Sequence, residues 1–484
     1  MFVSISQPHL LPLTFVVTAL LNFSIRSTYA ATLVPTDPGN LNAASISLAI
    51  GGIARTASGY YTPSSDGAIP QNGASDASGI QWYESGIYFG AMMDYGKVTN
   101  DGQYMATTVG ALYNASYGPL QSFLGPYALI SETLLGRWND DIMWWALGPL
   151  TGAEVFGVSA TMGKYKYIDL VVNTYTQVWE QWDPTTCGGG IYWSRDRTAK
   201  NNQGTYKSVI TNVQFILAAA RLAVLTGNTT YTTQAAQVYT WMKTIGLITP
   251  TFHLYDGANA PTCSPLNAME LSYSLGILMG GLGMMFKATG DAVYQTDAAQ
   301  FLDVGLGLYA PASSGGVLAD PCETTSAGCK PNEVSPKGTF LRGLGYLYRG
   351  VSDPAIKTKI QTLVEVSAAS MVTHSCDASW NCGNVWTASG GKPSTDFHSQ
   401  LNSLELMIAL AVVHTPASIA GGSVLSESVA TTGVSGDQSH GNTATTTKNA
   451  GVGSGLEFAD RVFLLGSVGI SMMVVGVVSR VHWW

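Results

Sequence analysis

Two adjacent carboxylates, Asp140 and Asp141, follow Asn139 and are bracketed by indoles in the stretch Leu135-Gly136-Arg137-Trp138-Asn139-Asp140-Asp141-Ile142-Met143-Trp144-Trp145. Only 11% of the 484 residues are charged, so the placement of each charge is informative. Asp and Asn cap the free backbone N–H groups of a helix start, and the apolar run from Ile142 reads as the helix they open. The positive end of that helix favours one ionised carboxylate. Flanking indoles lower the local dielectric and favour a protonated one. Two carboxyls driven apart in pKa beside aromatic platforms meet the needs of glycosidic bond cleavage. A doubly acidic surface cap would use the same residues, so the rest of the chain has to discriminate.

The elements that must position this pair are helical. Between residue 32 and about residue 415, long apolar segments of helical periodicity are separated by Gly, Asp, Asn and Pro, without βαβ alternation. A repeat runs through them. Thr99-Asn100-Asp101-Gly102-Gln103-Tyr104 recurs as Thr226-Gly227-Asn228-Thr229-Thr230-Tyr231 and as Thr289-Gly290-Asp291-Ala292-Val293-Tyr294. Gly163–Tyr167 and Val351–Ile356 supply two further copies, and one step back from Tyr104 precedes a helix at Ala43–Ala57. The period is about 63 residues. Six helical hairpins of this kind predict an all-α (α/α)6 toroid whose inner helices line a funnel. Long inner-to-outer loops are expected to form a cleft on one face. An open solenoid would need capping repeats with a polar outer face, and none is evident.

The segments half a period from the Tyr-bearing turns hold the unusual residues. They contain Gln81-Trp82-Tyr83-Glu84, the Asn139-Asp140-Asp141 segment and Cys187 through Trp193, Tyr206, Lys207 and Asn212. Tyr255-Asp256-Gly257 with Tyr273, Cys322 through Lys337, and Cys376 through Trp386 complete the set. All six cysteines lie there, an even number that predicts three disulfides in an oxidising compartment. Cys322–Cys329 and Cys376–Cys382 are close enough to staple local loops, which leaves Cys187–Cys263; the other connectivities stay formally open. The seven histidines show no metal-site spacing, and no metal or cofactor is expected. Asn114 and Asn228 head N-glycosylation sequons expected on the surface. A net charge of −8 argues against a nucleic-acid partner.

Both ends read as processing signals. Residues 1–30 combine an apolar run, Leu10 through Leu21, with small residues at Thr28 and Ala30, as in a cleaved secretory signal. Residues 416–449 form a Ser/Thr/Gly-rich linker. Residues 450–484, with Asn449-Ala450-Gly451 ahead of the apolar tail Val462–Val478, read as a GPI-attachment signal with Asn449 as the attachment residue; a terminal transmembrane helix is the alternative. The catalytic domain is then expected at 32–415, on the outer face of the plasma membrane.

The segment Asn139-Asp140-Asp141 with Trp144-Trp145 and Ala153-Glu154 resembles glycoside hydrolase family 76, the endo-α-1,6-mannanases. Gly189-Gly190-Ile191-Tyr192-Trp193-Ser194, Tyr206-Lys207, Asn212 and Ala220-Arg221 continue the resemblance in order. So do Ser272-Tyr273, Lys337-Gly338-Thr339-Phe340-Leu341-Arg342, Cys382-Gly383, Trp386 and Leu404-Glu405. It covers about residues 40–410 and, with the terminal signals, looks most like the fungal GPI-anchored cell-wall branch. The resemblance implies an (α/α)6 barrel and a retaining mechanism, with Asp140 as nucleophile and Asp141 as general acid/base. The implied donor is an α-1,6-mannan or GPI glycan, with β-glucan as acceptor in the cell-wall branch. Trp82, Asn139, Trp144, Trp193, Tyr206, Lys207, Asn212, Asp256, Tyr273 and Lys337 are the candidate substrate-binding residues. Ser274, Asn332-Glu333 and Pro336 depart from the family pattern at the rim.

Two other readings remain at this level. A silent carbohydrate-binding wall protein would use the same cleft without needing two carboxylates. An inverting hydrolase would place a second acid, Glu84 or Asp256, across about 6.5–9.5 Å.

Overall fold

A computed structural model describes residues 43–64, 66–70, 80–116, 121–124, 138–325, 329 and 336–414. The signal at 1–30, the linker, Asn449 and the 450–484 tail lie outside the described residues. The described part holds twelve α-helices: α1 Ala43–Ser58, α2 Trp82–Thr99, α3 Met105–Ala115, α4 Asn139–Phe156, α5 Tyr167–Trp179 and α6 Val209–Thr226. They continue as α7 Thr229–Thr244, α8 Ser272–Thr289, α9 Ala292–Tyr309, α10 Pro336–Gly350, α11 Pro354–His374 and α12 Phe397–His414. Two short ribbons accompany them, β1 Thr161–Met162 with β2 Tyr165–Lys166, and β3 Tyr206–Ser208 with β4 Gly257–Asn259.

The repeated turn has a hydrogen-bonding reason. Thr99, Thr226 and Thr289 end α2, α6 and α8, and each donates its hydroxyl to the carbonyl four residues back, at 2.7 Å. Each hydroxyl also accepts the N–H two residues ahead, at 3.1–3.3 Å. Asn100, Gly227 and Gly290 close those helices in the left-handed conformation, which Gly adopts without penalty and Asn tolerates. Asn228, Asp291 and Asp353 then cap α7, α9 and α11 by accepting from Thr230, Val293 and Ala355 N–H. Stop and start signals thus sit within three residues, which makes these turns tight.

The even-numbered helices are the inner ones. They are buried nearly all round, the pattern of helices enclosed by others. Each packs on the next around the ring, α2–α4–α6–α8–α10–α12, and α12 returns to α2, so the toroid is closed. The tight turns run from inner to outer helices. The long loops run the other way, from each outer helix to the N-terminus of the next inner one, correcting the expected direction. The reason is the placement of the Thr–Gly/Asn–Asx signal, which stops inner helices and starts outer ones. The mouth is therefore ringed by six inner-helix N-termini.

Far from the mouth, the ring is tied by buried charge. Arg342 donates to Asp94 at 2.8 Å, and Asp94 also accepts from Tyr346 at 2.9 Å and Thr151 at 2.8 Å. Arg221 donates to Thr151 and to Glu154, both at 2.8 Å, and Lys97 pairs with the other Glu154 oxygen. The network joins α2, α4, α6 and α10. Burial alone would raise Asp94 and Glu154, but the adjacent Arg and Lys cations hold both below the usual carboxylate range. Replacing Arg342 with Met would leave the Asp94 charge buried without its nearest cation. The expected cost is about 3–5 kcal/mol, read as a lower denaturant midpoint, with partial recovery when Asp94→Asn is added.

Candidate active site

The helix carrying the acid pair is opened by tertiary bonds. Trp138 occupies the N-cap position in extended conformation and makes no side-chain cap. Asn139, Asp140 and Asp141 are the first three residues of α4, so the expected Asx cap is not what starts it. Trp138 instead bridges Ser194, and the Asn139 N–H donates to the Trp193 carbonyl at 2.9 Å. The Asn139 side chain donates to the Tyr192 carbonyl at 2.7 Å and accepts from Arg195 at 3.1 Å. Both faces of its amide are thereby used to dock α4 on the loop after α5. The carboxylates are thereby placed in the first turn, where the backbone amides of Asp140 and Asp141 reach the Asp140 carboxyl.

The next rim loop is tied to the same place. Trp193 N–H donates to the Tyr206 carbonyl at 2.8 Å, and β3 pairs with β4 in the register Tyr206↔Asn259, Lys207↔Ala258, Ser208↔Gly257. The Tyr206 hydroxyl donates to Asp256 at 2.5 Å, and Asn267 donates to the same oxygen at 2.9 Å. Gly257 is required beneath this phenol, because a Cβ there would come within 2.5 Å of Tyr206. The rings of Trp138 and Trp193 lie 4.3 Å apart, and Tyr206 meets Trp193 edge-on at 6.0 Å. Trp138, Trp193 and Tyr206 thus form one aromatic wall beside the acids.

Burial raises Asp140 to about 7; the Trp193 indole and the first-turn backbone amides pull the other way, and Asp256 adds to the rise. That indole N–H lies outside good hydrogen-bond geometry. Asp141 is pushed well up too, by burial first and then by Asp140 and Glu84. Asp256 is raised by burial against its two hydrogen bonds. Tyr83 and Tyr273 complete the cluster. Both phenols are raised chiefly by burial, Tyr83 feeling Asp140 and Asp141, and Tyr273 feeling Asp256 and Asp140.

The structure therefore brings together Asp140, Asp141, Asn139, Trp193, Tyr206, Asp256 and Tyr273. Other candidate residues stand behind this group. Trp82 and Trp144 are buried in the core, Trp82 packing on Trp145 at 5.3 Å. Asn212 is spent on Ile191 and Ser208 backbone groups. Lys207 is fully buried, donating to the Thr186 and Gly189 carbonyls at 2.7 and 2.5 Å. Lys337 is also fully buried, paired with Glu323 at 2.6 Å and bonded to the Asn384 carbonyl, over the face of Trp386. These side chains brace rim loops. Trp138, Tyr83, Asn267 and Arg195 are rim residues missing from the candidate set. The first two lay within motifs already singled out, whereas Asn267 and Arg195 carry no local signal.

The disulfides are Cys187–Cys263, Cys322–Cys329 and Cys376–Cys382. The first links the loop before α6 to the loop before α8, the same two loops joined by β3 and β4. Asn228 is exposed, while Asn114 is half-buried and donates its amide to the Ser64 carbonyl at 2.8 Å. Its position in the packed end of α3 thus departs from the surface placement expected of both sequons. Asn332 and Glu333 lie outside the described residues. Among the described residues, no group of three or more His, Cys, Asp or Glu is placed to hold a metal ion.

Known proteins agree with this architecture. The chain is 26% identical over 347 residues to the mannan endo-1,6-alpha-mannosidase DCW1 of Saccharomyces cerevisiae, spanning 69% of this chain and 73% of the relative. The S. cerevisiae mannan endo-1,6-alpha-mannosidase DFG5 is 26% identical, over 69% and 72%. Dfg5 from Chaetomium thermophilum, solved in complex with glucosamine, superposes with a TM-score of 0.68 at 23% identity, over 77% of this chain and 91% of that one. An inactive Salegentibacter alpha-1,6-mannanase in which two neighbouring aspartates are replaced, solved with alpha-1,6-mannotetrose, gives 0.61 at 18% identity, over 76% and 99%. The profile of glycosyl hydrolase family 76 matches residues 45–420. The closed toroid and the match across most of the chain establish it as a glycoside hydrolase, a member of family 76.

Proposed function

We propose that this enzyme cleaves α-1,6-mannosidic linkages by double displacement, with Asp140 as nucleophile and Asp141 as general acid/base. The observation that carries the assignment is the placement of two buried carboxyls side by side in the first turn of α4, both raised by burial and the second also by the charge of the first. Asp140 ionises first, and its charge then holds the proton on Asp141. The Asp140 carboxylate attacks the anomeric carbon while the Asp141 proton passes to the departing glycosidic oxygen. In the second half, the Asp141 carboxylate takes a proton from an incoming hydroxyl, which displaces Asp140 from the anomeric carbon. The two yeast relatives supply the substrate class, and the Salegentibacter variant supports the dependence on paired aspartates. Glu84 is tied to the Gln81 N–H and to His398, and Asp256 to Tyr206 and Asn267. Those ties argue against either as the water-activating base of an inverting enzyme.

The finer reading is transfer: a GPI-glycan donor passed to β-glucan at the cell surface. A wall of Trp138, Trp193 and Tyr206 favours a sugar hydroxyl over water at the glycosyl-enzyme, because pyranose rings stack on aromatic faces. The terminal segments 1–30, 416–449 and 450–484 support secretion and a GPI anchor at Asn449. Release of the protein from cells by phosphatidylinositol-specific phospholipase is the expected behaviour, and retention would refute the anchor.

Incubating the 32–415 domain with a short α-1,6-mannoside bearing a glucosamine end, with and without glucan oligosaccharide, should give a mannose–glucan adduct by mass spectrometry. Free mannosides alone would make it a hydrolase, and silence would favour a binding protein. Asp140→Asn should remove all products. The same substitution tests the buried charge. A carboxyl whose folded pKa exceeds its unfolded value stabilises fully below about pH 4 and loses that contribution as pH climbs through about 7. Asp140→Asn should therefore be more stable than the parent at pH 8, by about 2–4 kcal/mol, with the gap closing toward pH 4.

A further inference from the structure

Behind the catalytic turn lies a buried pair that the double-displacement chemistry does not use. Glu84, in the first turn of α2, is 2% exposed. One of its oxygens accepts the Gln81 N–H at 2.6 Å, and the other meets His398 Nε2 at 3.0 Å. His398 lies in the first turn of α12, so the contact joins the two ends of the closed ring at its mouth. The titratable groups facing the pair are Tyr83 from α2, Asp141 from α4 and Asp396 ahead of α12, and Asp140 reaches it through Asp141 and Tyr83. Tyr273 of α8 reaches it through Tyr83. All of these are neutral or negative, and only the imidazole of His398 can carry positive charge among them.

We propose that Glu84 and His398 form a positioning pair that sets how tightly Asp141 holds its proton, the imidazolium cancelling the field of Glu84 on that carboxyl. The inference rests on Asp141 serving as the acid/base. While His398 is protonated, the pair is neutral overall and Asp141 feels little of it. When His398 loses its proton, Glu84 stands uncompensated in a wall of low dielectric, and a like charge there opposes ionisation of Asp141. Burial works against the imidazolium, but Glu84 and then Asp396 raise His398 above its ordinary value. The imidazolium is therefore held more firmly than that of a free histidine, as the proton of Asp141 is held more firmly than that of a free carboxyl. Each proton leaving His398 makes the next one, on Asp141, harder to remove. The acid stays loaded over a wider pH range than an isolated pair of carboxyls would allow.

Two substitutions separate this from packing. His398→Gln keeps a donor to Glu84 without charge, and Glu84→Gln removes the negative charge while preserving shape. The basic limb of kcat/KM on the α-1,6-mannoside should move to higher pH in His398→Gln and to lower pH in Glu84→Gln, each by about half a unit or more. The Asp141 carboxyl is followed in parallel by carbon-13 NMR of aspartate-labelled protein, assigned by its loss in Asp141→Asn. Opposite movements of that titration in the two variants support the pair. An unmoved titration, or movement in the same direction, overturns it. If Glu84→Gln weakens the start of α2, the His398→Gln titration decides alone, and an unshifted Asp141 refutes the proposal. The titration needs no turnover, so a chain inactive on mannosides would remove the substrate reading and leave this test standing.

Discussion

A carboxylate buried in protein keeps its charge only when a cation shares the burial, and this toroid distributes its cations unevenly. In the half away from the mouth, Arg221, Arg342 and Lys97 meet Asp94 and Glu154, and those acids stay ionised. At the mouth, the groups acting most strongly on Asp141 are two more carboxylates, Asp140 and Glu84. The lower network closes the ring, while the upper cluster is left with more acid than it can ionise. That surplus makes a proton available at neutral pH. With so few charged residues in the chain, the arrangement concentrates electrostatic cost at the mouth.

Glu405 shows the gradation between the halves. Burial pushes it up to about 8 despite the Arg342 guanidinium, whose nearer commitment is to Asp94. A second acid on the same cation is therefore held neutral beside an ionised one. The unequal sharing has the same physical root as the elevation of Asp140 and Asp141, which is competition for charge compensation in a medium of low dielectric.

The scaffold was legible because its punctuation is local. The Thr–Gly/Asn–Asx signal stops one helix and starts the next with hydrogen bonds inside a few residues, so its recurrence every 63 residues or so marks hairpins directly in the text. The closed toroid and its one-sided cluster of unusual residues follow from that period. The direction of the long loops is not legible in the sequence, since a periodic mark identifies a turn without saying which flanking helix is enclosed. Enclosure is a tertiary property. It shows in the burial of α2, α4, α6, α8 and α12, which their neighbours supply.

Sequence alone marked the adjacent Asp140 and Asp141, the six hairpins and the two local cysteine pairs, because each depends on residue type and spacing along the chain, whereas Cys187–Cys263, 76 residues apart, was left open until the fold joined its two loops. Tertiary structure decided what the polar side chains do. Lys207 and Lys337 look like cleft cations in the text, yet both are consumed by backbone carbonyls and a neighbouring acid as they clamp rim loops. Trp82 and Trp144 pack in the core, and the wall beside the acids comes from Trp138, Trp193 and Tyr206, drawn from two loops. His398 reaches Glu84 across 314 positions of chain. Contacts of that span leave no mark in local spacing, because the bond is made only when the ring closes.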